Sequence, residues 1–192
     1  MSCYTVLGMG METKMRSFPG QPSSKDQIAA MLRVNLAGEY GAKRIYEGQL
    51  AVLKHSPVTP LLEHMKAQEL THLKAFEALV VENHVRPTLL HPLWHVTGFA
   101  LGAVTAFLGE KAALACTAAV EEVIDQHYEK QLTLLGDGNP DLSQLIYTCQ
   151  QEELEHRDLA LEQGAREAPA YPFFTHAIKS ASRLAIWLSE RV

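Results

Sequence analysis

The sequence predicts an all-α protein: an antiparallel bundle of four long helices with two additional helices. Three observations carry this. Apolar residues recur with the helical period through six successive segments. No stretch alternates apolar and polar residues between turn signals, as a half-buried strand would. Glycine and proline fall mostly between the periodic segments.

The elements follow in order. Residues 1–24 mix Gly, Ser, Pro and Met with Glu12, Lys14 and Arg16, and lack a basic stretch ahead of an apolar core. They predict a flexible leader rather than a secretory signal, with the folded domain over 25–192. Ser24 is placed to cap a first helix reaching about Lys54, where His55-Ser56-Pro57 breaks it. Thr59-Pro60 reads as a cap followed by a first-turn proline, opening a second helix to about Val85 that Arg86-Pro87 closes. A mostly apolar stretch from Leu89 to Gly109 comes next. A fourth helix spans Glu110 to Leu135, with Gly136 as its terminator. Asn139-Pro140 starts a fifth, to about Arg166. Beyond Pro169 and Pro172 a last helix ends near Glu190.

Composition bounds the function. The chain has 192 residues, 47% of them hydrophobic and 20% charged, which is enough apolar material for one core and rules out a disordered chain. Lys+Arg is 17 against Asp+Glu 22, a net charge of −5, so no basic surplus points to nucleic acid. Cys3, Cys116 and Cys149 are too few and too scattered for a disulfide framework or a cysteine zinc site. Two of them suit small core positions in a reducing compartment.

Two copies of Glu-x-x-His stand out, Glu69-Leu-Thr-His72 and Glu153-Leu-Glu-His156. One copy arises easily by chance, so the helix face decides. The second helix carries the stripe Leu62, Met65, Glu69, His72, Phe76, Leu79, and the fifth carries Leu142, Ile146, Cys149, Glu153, His156, Ala160. Both are apolar except at Glu and His, so these side chains point into the core. Spacing i,i+3 puts a carboxylate and an imidazole on one face, within reach of one ion. The first helix contributes Glu39 on a stripe with Ile28, Leu32, Asn35, Ala42 and Tyr46. The fourth contributes Glu121 with Leu114, Ala118, Ile124 and Tyr128.

Four carboxylates and two imidazoles therefore share one interior. An unpaired buried ion costs several kcal/mol, and four would exceed a domain's whole stability of about 5–15 kcal/mol. No Lys or Arg lies on the four stripes, so metal cations must neutralise them. Oxygen-rich ligation with one histidine per metal suits iron or manganese better than zinc. Four glutamates and two histidines supply two metals with bridging carboxylates, the arrangement of ferritin-like bundles.

A wider set of segments points the same way. Leu36-Ala-Gly-Glu-Tyr-Gly-Ala42, Gln68-Glu-Leu-Thr-His-Leu73, Ala115-Cys-Thr-Ala-Ala-Val-Glu-Glu122, Glu152-Glu-Leu-Glu-His-Arg-Asp158, Ala168-Pro-Ala-Tyr171 and the ending Leu188-Ser-Glu-Arg191 together resemble the demethoxyubiquinone hydroxylase family, di-iron monooxygenases of ubiquinone biosynthesis. The resemblance runs from about Asp26 to Val192. It implies Glu39, Glu69, His72, Glu121, Glu153 and His156 as ligands of two irons. Glu69 and Glu153 would bridge, Glu39 and His72 complete one iron, and Glu121 and His156 the other. It implies hydroxylation of a polyprenylated methoxy-methyl-benzoquinol ring, demethoxyubiquinol, with O₂ and an external electron donor. It also implies peripheral attachment to the cytoplasmic face of a bacterial inner membrane, or to the matrix side of the mitochondrial one, beside other ubiquinone-biosynthesis proteins.

His127 and Tyr128 lie beyond Glu121 on the fourth helix. Tyr128 is on the inward stripe, so it either supports the site or is a core tyrosine; both readings stand, and His127 is named with it as a candidate for that supporting role. Two other classes share the ligand pattern: a ferritin-like ferroxidase or peroxidase, and a non-enzymatic helical interaction protein. The absence of a Cys-x-x-Cys module argues against a rubrerythrin-type peroxidase.

Residues 88–109 carry no Asp, Glu, Lys or Arg, long enough to approach a bilayer's thickness. A single crossing would separate helices that share one site. The segment is expected either as a membrane-interfacial helix, with Leu93, Trp94, Phe99, Leu101 and Phe107 toward lipid, or as a buried fifth helix. Lys179, Arg183 and Trp187 on the last helix are placed to assist attachment.

Overall fold

The computed structural model describes residues 24–192. The expected leader up to residue 23, with Cys3, lies outside the described residues. Six helices follow: α1 (Ser24–Val52), α2 (Thr59–Glu82), α3 (His91–Phe107), α4 (Glu110–Leu135), α5 (Pro140–Glu162) and α6 (Tyr171–Ser189), with a 3₁₀ turn at Ala165–Glu167. Among the described residues there is no strand. Cys116 and Cys149 are free and buried, as small core residues.

α1, α2, α4 and α5 form the bundle. Leu32, Leu62, Met65, Phe76, Leu114 and Ile146 are fully buried between them, each stabilising the fold by about 1.5–3 kcal/mol. Cross-bundle bonds fix the direction. Asn35 pairs with Gln131 while Gln49 reaches Thr117, so α1 and α4 run antiparallel. Gln68 faces His156 and His72 faces Glu152, so α2 and α5 do too. α3 lies on α1, and α6 lies on α4.

Several helix ends differ from expectation. Ser24, the first of the described residues, is already helical rather than a cap. Thr59 is also inside its helix, and its hydroxyl donates to the Leu53 carbonyl across the α1–α2 loop, with Val58 at the cap position. α2 stops at Glu82 because His84 turns left-handed. α5 stops at Glu162, short of Arg166, because Gly164 adopts φ 91°, a conformation open to glycine. Asn139 does cap α5, accepting from the Leu142 amide at 3.2 Å.

The uncharged segment becomes α3, with one face on the bundle and one in solvent. A Cβ on Gly48 would strike the Phe99 backbone, and one on Gly102 the Ile45 backbone, so the two helices touch main chain to main chain. Trp94 Nε1 donates to Ser189 Oγ at 3.0 Å, tying α3 to α6. The Arg44 guanidinium sits 4.9 Å from the Phe99 ring centre, and Leu101 packs against the cluster of Ile45, Cys116 and Ile178. Trp94, Phe99 and Leu101 therefore turn toward the bundle, contrary to the lipid-facing expectation. Leu93 and Phe107 are exposed, by 46% and 79%. No described helix is long and apolar enough to cross a membrane.

Candidate metal centre

Glu39, Glu69, His72, Glu121, Glu153 and His156 all lie buried in the middle of the bundle, as the stripes require. They form two overlapping groups. Ligating atoms of Glu39, Glu69, His72 and Glu153 lie within 4.8 Å of one another, and so do those of Glu69, Glu121, Glu153 and His156. Glu69 and Glu153 belong to both groups, which is the position a bridging carboxylate must occupy.

The fit to metal cations rests on unsatisfied atoms. Glu39 Oε2, both oxygens of Glu69 and of Glu153, Glu121 Oε2, and Nδ1 of His72 and His156 are buried with no hydrogen-bond partner. His72 Nδ1 lies 3.4 Å from Glu39 and 3.2 Å from Glu153, and His156 Nδ1 lies 3.3 Å from both Glu69 and Glu153. Buried polar atoms are satisfied in the great majority of cases. Here oxygens and imidazole nitrogens converge without hydrogen-bond partners, in two groups each able to hold a metal ion. An interior polar cluster serving only interaction specificity would have its members paired.

Four of the six, all but Glu69 and Glu153, are held from behind. Tyr46 on α1 donates to Glu121 Oε1 at 2.8 Å, and Tyr128 on α4 donates to Glu39 Oε1. The Tyr128 ring stacks on Phe76, and the Tyr46 ring meets His156 edge-on. His72 Nε2 bonds Glu152 Oε2 at 2.7 Å, and His156 Nε2 bonds Gln68 Oε1 at 3.0 Å. A carboxylate or carbonyl oxygen can only accept, so each Nε2 carries a hydrogen, and Nδ1 is the atom that each ring turns to the centre and would offer to a metal. His127 is only partly buried and does not reach the carboxylates. Its Nε2 accepts from Gln131 Nε2 at 2.7 Å, and Gln131 in turn is paired with Asn35.

The electrostatics match crowded anions. Burial, then Glu153, raises the Glu69 and Glu121 carboxyls well above the ordinary range. Burial also works on Glu153, but His156 and His72 outweigh it and hold that carboxyl at about 2. Burial disfavours a charged His72, yet Cys149, Glu153 and Glu39 around it prevail and raise its pKa. Burial and the Lys130 charge lower His127 to about 4. Glu122, one residue from Glu121, points away and pairs with Lys179 at 2.6 Å.

The stripes did not expose the roles of Tyr46, Gln68 and Glu152, nor a repeat that places all three. Asn35, Glu39, Tyr46 and Gln49 on α1 recur at the same spacing as Thr117, Glu121, Tyr128 and Gln131 on α4. Gln68, Glu69 and His72 on α2 recur as Glu152, Glu153 and His156 on α5. The bonds follow the repeat: Tyr46 to Glu121 mirrors Tyr128 to Glu39, and Gln49 to Thr117 mirrors Gln131 to Asn35. Comparing the chain with itself would have found this.

Comparison with known proteins gives the family. A protein of Rhodospirillum rubrum named 3-demethoxyubiquinol 3-hydroxylase is 55% identical over 184 residues, covering 95% of this chain and 87% of that protein. A human protein named NADPH-dependent 3-demethoxyubiquinone 3-hydroxylase, mitochondrial, is 49% identical over 173 residues, 88% of this chain and 80% of its own. The Saccharomyces cerevisiae 5-demethoxyubiquinone hydroxylase, mitochondrial, is 41% identical over 179 residues, 84% of this chain and 77% of its own. The family model described as ubiquinone biosynthesis protein COQ7 matches residues 26–189, a span that holds every residue of the centre. With that match and these identities, and with the buried carboxylate–histidine cluster and its helical frame inside the span, the chain belongs to the COQ7 family.

Proposed function

We propose that this chain is a di-iron monooxygenase that hydroxylates the ring of a polyprenylated demethoxyubiquinol with O₂. The observation that carries the proposal is the convergence of unpartnered buried carboxylate oxygens and two imidazole Nδ1 atoms. Glu39, Glu69, His72 and Glu153 would hold one iron, and Glu69, Glu121, Glu153 and His156 the other. Irons held there would supply the redox chemistry that activates O₂.

The chain's own residues do the rest. Tyr46 and Tyr128 orient Glu121 and Glu39, and Glu152 and Gln68 fix the two histidine rings. A cleft of about 390 Å³ lies between the start of α1, the end of α4 and the residues after α6, lined by Met31, Val34, His127 and Gln131 among others, and here we place the approach of the quinol ring. Its lining residue Gln131 is paired with Asn35, which lies one helical turn before Glu39 on α1. His127 is uncharged at neutral pH, and with its Nε2 accepting from Gln131 it would offer its Nδ1–H as a donor to a quinol oxygen. Electrons come from a reduced nicotinamide, by analogy with the human relative's name.

The exposed apolar residues of α3 and α6, Leu93, Val104, Phe107, Phe173 and Trp187 among them, would rest in the face of a bilayer that carries the long-tailed substrate. That bilayer is the bacterial inner membrane or its mitochondrial counterpart, the compartment in the names of the human and yeast relatives. The test is reconstitution. Protein loaded with iron is given a short-chain demethoxyubiquinol, O₂ and a reductant, and the product is read by mass. Addition of one oxygen atom, dependent on two irons per chain, is expected. Iron uptake with no product would favour a ferroxidase instead.

A further inference from the structure

The two halves of the centre match in every ligand and in both tyrosines, but not in what holds the histidines. His72 Nε2–H donates to a carboxylate, Glu152, at 2.7 Å, whereas His156 Nε2–H donates to a neutral amide, Gln68, at 3.0 Å. The repeat puts Glu152 and Gln68 in the same position, one residue before each shared glutamate. The shorter distance is the one expected for a charge-assisted bond. A carboxylate draws the ring proton toward itself, so the imidazole gains negative character and its opposite nitrogen becomes a stronger donor. A neutral amide does this far less. Cys149 lies next to His72 where the matched position holds Met65, but it is a buried thiol kept neutral by burial and adds no charge.

We infer that the two metal positions are unequal: the one completed by Glu39 and His72 binds its ion more tightly than the one completed by Glu121 and His156, because Glu152 stands where the other half has Gln68. Glu152 is thus a positioning residue that orders metal loading, filling the His72 position first. The inference rests on the proposed metal centre and adds an order to it.

The experiment is an anaerobic titration of metal-free protein with Co²⁺, read by its ligand-field absorption. Two steps are expected in the wild type, separated by about 10-fold or more, the size of effect that groups behind a ligand exert. His156→Ala should retain the tight step and His72→Ala the weak one. Glu152→Gln should weaken the first step by about 10-fold and merge the two, and Gln68→Glu should tighten the second by a similar factor. If Glu152→Gln fails to fold, Gln68→Glu decides alone. Two equal steps in the wild type, an unchanged first step in Glu152→Gln, or no tightening in Gln68→Glu overturns the inference while leaving the metal centre in place. Absence of any Co²⁺ binding by the wild type overturns both.

Discussion

Tyr46 and Tyr128 are counterparts across the bundle: each hydroxyl donates to the inward glutamate of the opposite helix, Tyr46 to Glu121 and Tyr128 to Glu39. Each bond leaves the other carboxylate oxygen of its glutamate free to face the centre. The tyrosines therefore aim ligands, and burial with the nearby carboxylates raises both phenols so that they stay protonated donors.

Tyr46→Phe and Tyr128→Phe are expected to behave alike toward metal. Each should weaken iron binding by about 10-fold or more, at a stability change of about 1–2 kcal/mol. Iron content after dialysis and chemical denaturation measure the two effects. Loss of hydroxylation in Tyr128→Phe alone, with iron retained, would show that Tyr128 serves the reaction beyond aiming Glu39.

The shared carboxylates carry the sharpest test of ligation. Glu69→Ala or Glu153→Ala should drop bound iron from two to one or fewer per chain, because each residue belongs to both groups. Glu122→Ala should keep both ions, since Glu122 faces Lys179. Equal iron in all three variants would refute the assignment.

Acidity should stabilise the metal-free protein. Glu69 and Glu121, with raised carboxyl pKa values, hold protons in the fold that the unfolded chain releases above about 4.5, so their penalty grows as pH rises. The raised His72 acts in the same sense, its contribution complete below 6.5 and lost as pH climbs toward its folded value. Melting temperature of the metal-free form should thus climb as pH falls from about 8 toward 6.5, at up to about 1.4 kcal/mol per pH unit for each proton. Below 6.5 the rise should flatten. There the lowered His127 and His91 stay neutral in the fold while the unfolded chain takes up protons. The stabilising effect of Glu153, held at about 2, fades only below 4.5. Iron-loaded protein should show no such climb, because its ligands stay deprotonated.

At the membrane face, Leu93→Ser with Phe107→Ser should weaken binding to anionic liposomes by 10-fold or more, about what losing two apolar anchors predicts, with iron content unchanged. Trp94→Phe, which removes only the bond to Ser189, should bind liposomes as wild type does. Loss of iron in the serine variant would mean that this face is core.

The inward ligands were readable because helical period alone sorts them: Glu39 lies on a stripe with Leu32 and Tyr46, whereas Glu47 does not and pairs with Lys43 at the surface. Glu152 and Gln68 escaped because they sit one residue off the stripe and reach the centre only through a histidine of another helix. The orientation of α3 escaped for a different reason. Gly98 and Gly102 carry no side chain to mark a face, yet they are buried where α3 meets α1, so Trp94 and Leu101 point inward while Leu93 does not. The end of α5 turned on the φ of Gly164, which a continuous apolar pattern hides.

The repeat has a consequence for how the protein is made. The first three helices carry Glu39, Glu69 and His72, and the last three carry Glu121, Glu153 and His156, so each of the two groups borrows from the opposite half. A growing chain that has emerged only through Phe107 lacks Glu153, which both groups share. Neither group would be complete until α5 has left the ribosome, so an incomplete chain, however well its first hairpin folds, would lack part of any metal centre built on them.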